Sequence, residues 1–298
     1  MCAAVRMHDD EPDIDAALVR RLVAAQFPQW RSLPLSPVAA SGADHAMFRL
    51  GTELAVRLPR VAWASAGVER ERHWLPRLAP RLPRPIPVPL AAGRPTAGYP
   101  WEWSVLRWLG GANPVVGSLA APLQLAHDLA GFVNALRAVD PGDGPPAARG
   151  VPLAARDAPT RAAIGRLHGT IDTAAATALW EKALRLPEHP GGPAWMHGEL
   201  SPGNLLLAGQ RLSAVLDFGA MGVGDPTVDL IAAWNLLPAG ARPAFRTALA
   251  ADDAAWERGR AWALSIALIQ LPYYRSTNPA LAANARHVIR EVLADRSV

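Results

Sequence analysis

Apolar residues recur at helical spacing near the start of the chain, at Ile14, Leu18, Leu22 and Val23. This predicts a helix that begins after Pro12-Asp13 with an acidic cap and is closed by Pro28 and Pro34. Residues 38–50 read as a loop around Ser41-Gly42 running into a strand, and Leu54 to Leu58 alternates as the next strand. Val68, Trp74, Leu75 and Leu78 line one face of a second helix. Residues 81–89, RLPRPIPVP, are too rich in proline for either regular state and read as extended chain. WEWSVLRWL, residues 101–109, alternates again and stops at Gly110-Gly111. Beyond it the period changes to that of helices: residues 123–136, broken alanine-rich runs over 154–184, and nearly all of 227–293. The pattern predicts an α+β chain, with a small mixed part over residues 1–108 and a larger, mainly helical part over 109–298.

One stretch interrupts the helical half. Residues 195–230 read WMHGELSPGNLLLAGQRLSAVLDFGAMGVGDPTVDL. Ser201-Pro202-Gly203 is loop punctuation. Leu205 to Leu207 and Leu212 to Leu216 are strand-like, with Gly209-Gln210 as the turn between them. A hairpin would bring Asn204, before its first strand, close to Asp217, after its second. An amide oxygen and a carboxylate, completed by phosphate oxygens and water, are a usual way to hold Mg²⁺. Glu199 would lie beside that ion as a proton acceptor.

The order carboxylate, four residues, asparagine, then Asp-Phe-Gly matches the catalytic loop and metal segment of protein kinases. With His197, Gly224-Asp225-Pro226 and Asp229-Leu230, the stretch resembles the bacterial aminoglycoside phosphotransferase family. The resemblance runs from Gln26-Phe27-Pro28 to Asp229-Leu230 and implies a protein-kinase-like two-lobed fold, with an antiparallel sheet in the N-terminal lobe. It implies ATP or GTP as phosphate donor, Mg²⁺ as cofactor and a hydroxyl-bearing small molecule, such as an antibiotic, as acceptor. Resistance or self-protection is the corresponding role.

Residue roles follow from that resemblance. Asn204 and Asp217 hold the metal, Glu199 accepts or orients the acceptor hydroxyl, and His197 organises the loop. Arg57 stands where the kinase pattern has its phosphate-binding lysine; arginine grips phosphate through two donors rather than one point charge. Glu71 is the helix-borne glutamate that pairs with it, ahead of Glu69. The backbone around Ser41 and Gly42 covers the phosphates, and the segment from Val105 through Arg107 to Trp108 meets the base. The Asp225 and Asp229 carboxylates tie the following segment to the loop.

The family's loop reads His-Gly-Asp, whereas this chain has His197-Gly198-Glu199. The extra methylene moves the carboxylate by about 1.5 Å, and a misplacement of about 1 Å costs on the order of 10²-fold in rate. A working kinase with an adjusted loop is one outcome; a nucleotide-binding pseudokinase acting as a scaffold is the alternative. The metal pair, Arg57 and Glu71 are all present, which favours the enzyme. A protein kinase proper is disfavoured because no Ala-Pro-Glu segment follows Asp-Phe-Gly.

Composition adds bounds. The net charge of +4 comes almost wholly from scattered arginines, Lys182 being the only lysine among 298 residues. No basic tract suggests nucleic acid. No apolar run reaches the roughly 18 residues of a membrane span, and a single cysteine, Cys2, leaves no internal disulfide and suits the cytoplasm. In the C-terminal helices Arg242, Arg246, Arg258, Arg260, Arg275, Arg286 and Arg290 outnumber nearby acids, which weakens the case for a polycationic aminoglycoside and leaves room for a nucleoside, a peptide antibiotic or a sugar. Trp234, Trp256, Trp262, Tyr273 and Tyr274 are candidates to stack on an acceptor ring.

Overall fold

The computed structural model describes residues 11–38 and 44–295. The chain divides into two compact units: the first runs through Pro80 and resumes over Pro85–Gly110, and the second comprises Arg81–Arg84 with Gly111 onward. Among the described residues, no helix is long and apolar enough to cross a membrane.

In the first unit, α1 (Ala16–Gln26) starts at Asp15, whose side chain accepts the N–H of Leu18 at 2.7 Å. That bond satisfies one of the donors a helix leaves open at its first turn. Strands β1 (Leu35–Pro37), β2 (His45–Leu50), β3 (Leu54–Pro59), β4 (Pro89–Gly93) and β5 (Trp103–Arg107) form an antiparallel sheet in the order β1-β2-β3-β5-β4. Leu18, Val19, Leu22 and Val23 of α1 share a core with Phe48, Val56, Leu58, Tyr99 and Trp103. The second helix, α2 (Ala62–Leu78), buries Ala64, Val68, Glu71, Leu75 and Leu78. A carboxylate thus sits in an otherwise apolar stripe, and its charge needs a partner.

In the second unit, α3 (Pro122–Arg137), α4 (Asp157–Arg166) and α5 (Thr173–Leu184) precede four short strands. These pair in a nested way. The outer pair joins β6 (Ala194–Met196) to β9 (Gly222–Gly224), and the inner hairpin joins β7 (Leu205–Ala208) to β8 (Arg211–Val215). Nesting forces the two intervening loops, residues 197–204 and 216–221, to emerge side by side. After a six-residue 3₁₀ segment, Pro226–Ile231, come α6 (Ala232–Asn235), α7 (Arg242–Ala248), α8 (Asp253–Tyr274) and α9 (Pro279–Ala294).

Helix α8 is buried on nearly every side through Leu268, as the apolar run over residues 261–268 requires. Its buried charges are matched: Arg260 donates to the carbonyl oxygens of Val292 and Asp295 at 2.6 and 2.7 Å, and Arg258 lies 3.4 Å from Asp225. Gly259 lets the Pro226–Ile231 segment close on α8, since a Cβ there would lie 2.4 Å from that of Leu230. Part of the C-terminal arginine excess is therefore turned inward. Arg242, Arg258 and Arg260 are internal, and Arg242 pairs with Glu291. The argument against a polycationic acceptor then rests on the exposed Arg275, Arg286 and Arg290. Trp234, Trp256 and Trp262 are likewise core residues, leaving Tyr273 exposed among the ring-stacking candidates.

Candidate active site

In the first unit, Arg57 on β3 and Glu71 on α2 form a buried ion pair, Nη1 to Oε2 at 2.5 Å. The Arg57 Nη2 also meets His45 Nδ1 at 3.1 Å. Held on two sides, the guanidinium has one orientation. Glu69, two residues before Glu71, is exposed. The pattern of burial along α2 is what separates the two acids.

At the end of β5, Val105 is fully buried and lies opposite both Val56 and Ala91, while Arg107 is exposed. The N–H of Trp108 donates to the Glu53 carbonyl at 2.7 Å, and the Arg49 guanidinium lies over the Trp108 ring at 4.6 Å. The Trp108 N–H is thus committed within the unit. Ser41 and Gly42 lie outside the described residues.

The second unit assembles the other predicted residues. His197 is fully buried. Its Nδ1 accepts the N–H of Glu199 at 3.1 Å. An accepting ring nitrogen carries no proton, so Nε2 is the donor toward the Leu216 carbonyl at 2.9 Å. One side chain therefore joins the first loop to the second. The N–H of Leu216 donates to the Asn204 carbonyl at 2.7 Å, extending the hairpin register by one pair. Asp217, the next residue, is consequently delivered to the same end of the hairpin as Asn204.

The side chains fit a metal of oxygen preference. Asn204 donates its Nδ2 to the Glu199 carbonyl at 2.9 Å, which turns Oδ1, an oxygen donor, the other way. Asp217 has φ of 57°, a left-handed conformation that costs a non-glycine residue about 1–3 kcal/mol, less for Asp than for most. Its Oδ1 accepts the Gly219 N–H at 3.3 Å. Among the described residues no three His, Cys, Asp or Glu side chains gather as a cage. Mg²⁺ does not need one, because substrate phosphates and water complete its shell. Glu199, Asn204 and Asp217 are all partly exposed, whereas His197 and Asp229, which hold the loop, are buried.

Four side chains support the loop and hairpin, three of them outside the sequence motif. Asp229 accepts the N–H groups of His197 and Gly198 at 2.9 and 2.7 Å. Burial pushes its carboxyl up, opposed by those two N–H groups and by Arg137. Asp128 on α3 accepts two bonds from Arg211, both at 2.8 Å, and the Leu212 N–H at 3.1 Å. The Arg211 bond comes first among the causes that hold the Asp128 carboxyl below its ordinary range. Asn113 donates to the carbonyls of Pro202, Gly203 and Leu205. Arg149 donates to the Gly198 carbonyl at 2.9 Å and to Glu199 Oε1 at 3.3 Å. Of these, Asp229 alone was foreshadowed by sequence. The others act across 49 positions or more, and no periodicity signals such contacts.

A nested hairpin that sets an asparagine beside an aspartate, below a histidine-anchored acidic loop, is the architecture of a kinase-like phosphotransferase. The Phosphotransferase enzyme family matches this chain over residues 36–262, and the chain belongs to that family. It is a small-molecule kinase by class, with the α+β, protein-kinase-like two-lobed fold. Comparison with curated proteins by sequence yields no match. Among solved structures, the GDP complex of wild-type aminoglycoside 2'-phosphotransferase-IIIa is 17% identical, with 94% of this chain and 99% of that one covered at a TM-score of 0.73. The streptomycin-ATP ternary complex of APH(2")-IIa is 16% identical over 93% and 97%, TM-score 0.62. The apoenzyme of macrolide 2'-phosphotransferase MphH from Brachybacterium faecium is 22% identical over 94% and 99%, TM-score 0.62. At such identities the likeness establishes the fold alone.

Proposed function

We propose that the protein transfers the γ-phosphoryl group of ATP or GTP to a hydroxyl of a small antibiotic, giving resistance or self-protection in the cytoplasm, where these nucleotides are made. The observation that carries this is the bond from the Leu216 N–H to the Asn204 carbonyl at 2.7 Å, which delivers Asp217 and Asn204 to one end of the hairpin.

In phosphoryl transfer the protein has little covalent work; it aligns the reactants and offsets negative charge. Residues 1–108 would hold the nucleotide, with Arg57, kept in place by Glu71, on the phosphates. The base would meet the chain at the end of β5, and the Ser41-Gly42 backbone would cover the phosphates. Within residues 109–298, Asn204 Oδ1 and Asp217 would hold Mg²⁺, which when bound screens the phosphate charge. Glu199 takes the hydroxyl proton as the acceptor oxygen bonds to the γ-phosphorus. The bond from that phosphorus to the β–γ bridging oxygen breaks, and the nucleoside diphosphate leaves. His197 keeps the loop in register and takes no proton in this scheme.

Solved structures that share the fold include aminoglycoside and macrolide phosphotransferases, which supports an antibiotic acceptor and sets the panel for a test. Turnover is measured with Mg²⁺, with ATP and GTP separately, against aminoglycosides, macrolides, a nucleoside antibiotic and a peptide antibiotic. Phosphorylated product with at least one acceptor, lost in Glu199→Gln while nucleotide still binds, is the expected result. Nucleotide binding without transfer to any member of the panel would favour the pseudokinase reading.

A further inference from the structure

Residues 147–150 belong to no helix or named strand, yet they put a guanidinium on the carboxylate at the centre of the loop. Arg149 spans the Gly198 carbonyl at 2.9 Å and Glu199 Oε1 at 3.3 Å. The two side chains are 23% and 28% exposed, so the pair lies at the open face of the loop and not in the core. Among the described residues, Arg149 is the one side chain that contacts this carboxylate, and it contacts a single oxygen. Oε2 is left for another group.

The support of Arg149 is the frame that brackets the loop. Ala147 donates its N–H to the Val223 carbonyl on β9 at 3.1 Å, and the Gly150 carbonyl accepts the Asp225 N–H at 2.7 Å. Gly150 has φ of 76°, and a Cβ there would lie 2.5 Å from Met196 Sδ on β6. Arg149 therefore hangs between two backbone anchors on the strands and turn that fix His197 and Asp229. The fold fixes where its stem starts, and the bond to the Gly198 carbonyl places the guanidinium.

This matters because of the length of residue 199. Glutamate carries its carboxylate about 1.5 Å further than aspartate and has one more torsion to fix. An unheld glutamate would spread its oxygens over several positions, and phosphoryl transfer depends on alignment. We propose that Arg149 is a positioning residue that lets a glutamate serve where the family's loop has aspartate. It clamps Oε1 and so turns Oε2 toward the acceptor hydroxyl. The inference rests on the phosphotransfer reading above.

Four proteins test it: wild type, Arg149→Gln, Glu199→Asp and the double variant. The readouts are steady-state hydrolysis of Mg·ATP and Mg·GTP with water as acceptor, nucleotide affinity by calorimetry, and the thermal midpoint. Arg149→Gln is expected to lower kcat on the order of 10- to 100-fold with the nucleotide KM unchanged. In the Glu199→Asp background the same substitution is expected to change kcat by less than about threefold, because the clamp has no longer acid to hold. Equal losses in both backgrounds, or a loss carried by KM, would make Arg149 a plain brace and overturn the proposal. Should Arg149→Gln not fold, Arg149→Lys keeps a donor for Gly198 without the planar fork; a folded Arg149→Lys protein with full kcat also overturns it, and reduced kcat at unchanged KM supports it. A wild type that turns over nucleotide with neither water nor any acceptor of the panel removes the phosphotransfer reading and this proposal together. Active wild type with equal losses removes this one only.

Discussion

The carboxylate of Asp229 accepts the backbone N–H of His197 at 2.9 Å and, through its other oxygen, that of Gly198 at 2.7 Å. Thirty residues of chain separate the partners, and the bond closes them. The loop that carries Glu199 is thus fixed from behind by the segment packed on α8, where Gly259 permits the close approach. A buried acid here does the work of a strand partner: it satisfies two N–H groups that the turn at Gly198 leaves without a carbonyl.

Replacing this acid tests the arrangement. Asp229→Asn keeps one acceptor oxygen and turns an NH₂ group against an N–H donor. With the site fully buried, the unsatisfied donor should cost about 2–3 kcal/mol. Urea unfolding should read that loss, and kcat should fall further than nucleotide affinity. A variant as stable and as active as wild type would mean that the loop holds its shape unaided.

The Arg57–Glu71 pair makes a separate prediction for the first unit. Both side chains are buried, at 8% and 2% exposure, so solvent does not screen them. Glu71→Ala leaves a buried guanidinium whose main partner is gone, and breaking such a pair costs about 3–5 kcal/mol. The freed Arg57 should also lose its orientation, raising the nucleotide KM roughly tenfold at saturable kcat. Thermal melting and a nucleotide titration check the two effects. Unchanged KM in a folded variant would take Arg57 out of phosphate binding.

What the chain disclosed in advance follows from distance along it. Helix α1, the strands flanking residue 51 and the 205–215 hairpin are set by patterns within a dozen residues, and periodicity carries such patterns. Glu71 was distinguishable from Glu69 because it lies three after Val68 and four before Leu75, on the apolar stripe. Arg149, Asn113 and Asp128 act on residues 50, 92 and 83 positions away, and each reads alone as an ordinary surface polar residue. Three of the C-terminal arginines, Arg242, Arg258 and Arg260, are internal, which was illegible for a related reason. Sequence counts charges, whereas Arg242 and Arg260 spend theirs on internal carbonyls and carboxylates.

Acid should loosen the hairpin at its contact with α3. The Asp128 carboxyl is held below its ordinary value of 3.8, chiefly by its bonds to Arg211. A carboxylate with a lowered folded pKa contributes stability that is complete above the unfolded value and is lost as pH falls through the folded one. Stability should therefore drop as pH falls below about 3.8, and part of that drop should vanish in Asp128→Asn. The urea midpoint measured from pH 6 downward in both proteins checks this. Parallel curves would show that the acid loss comes from other groups.

The amide of Asn113 is the last support to test, because it acts on the turn that ends in a proposed metal ligand. Its Nδ2 donates to the carbonyls of Pro202, Gly203 and Leu205 at 3.3, 2.9 and 2.8 Å. Two hydrogens serving three acceptors span the turn and fix where Asn204 begins the hairpin. Residue 113 is exposed, so Asn113→Ala should cost only about 1 kcal/mol of stability. The larger effect should be on metal: with Asn204 less well placed, the Mg²⁺ concentration for half-maximal turnover should rise roughly three- to tenfold, a shift worth about 1 kcal/mol. Asn113→Asp should do worse, since it sets a carboxylate against three carbonyl oxygens. A Mg²⁺ titration of nucleotide turnover reads the difference. If Asn113→Ala leaves that titration where it was, the turn does not govern the metal, and Asn204 owes its position to its bonds with Leu216 and Glu199.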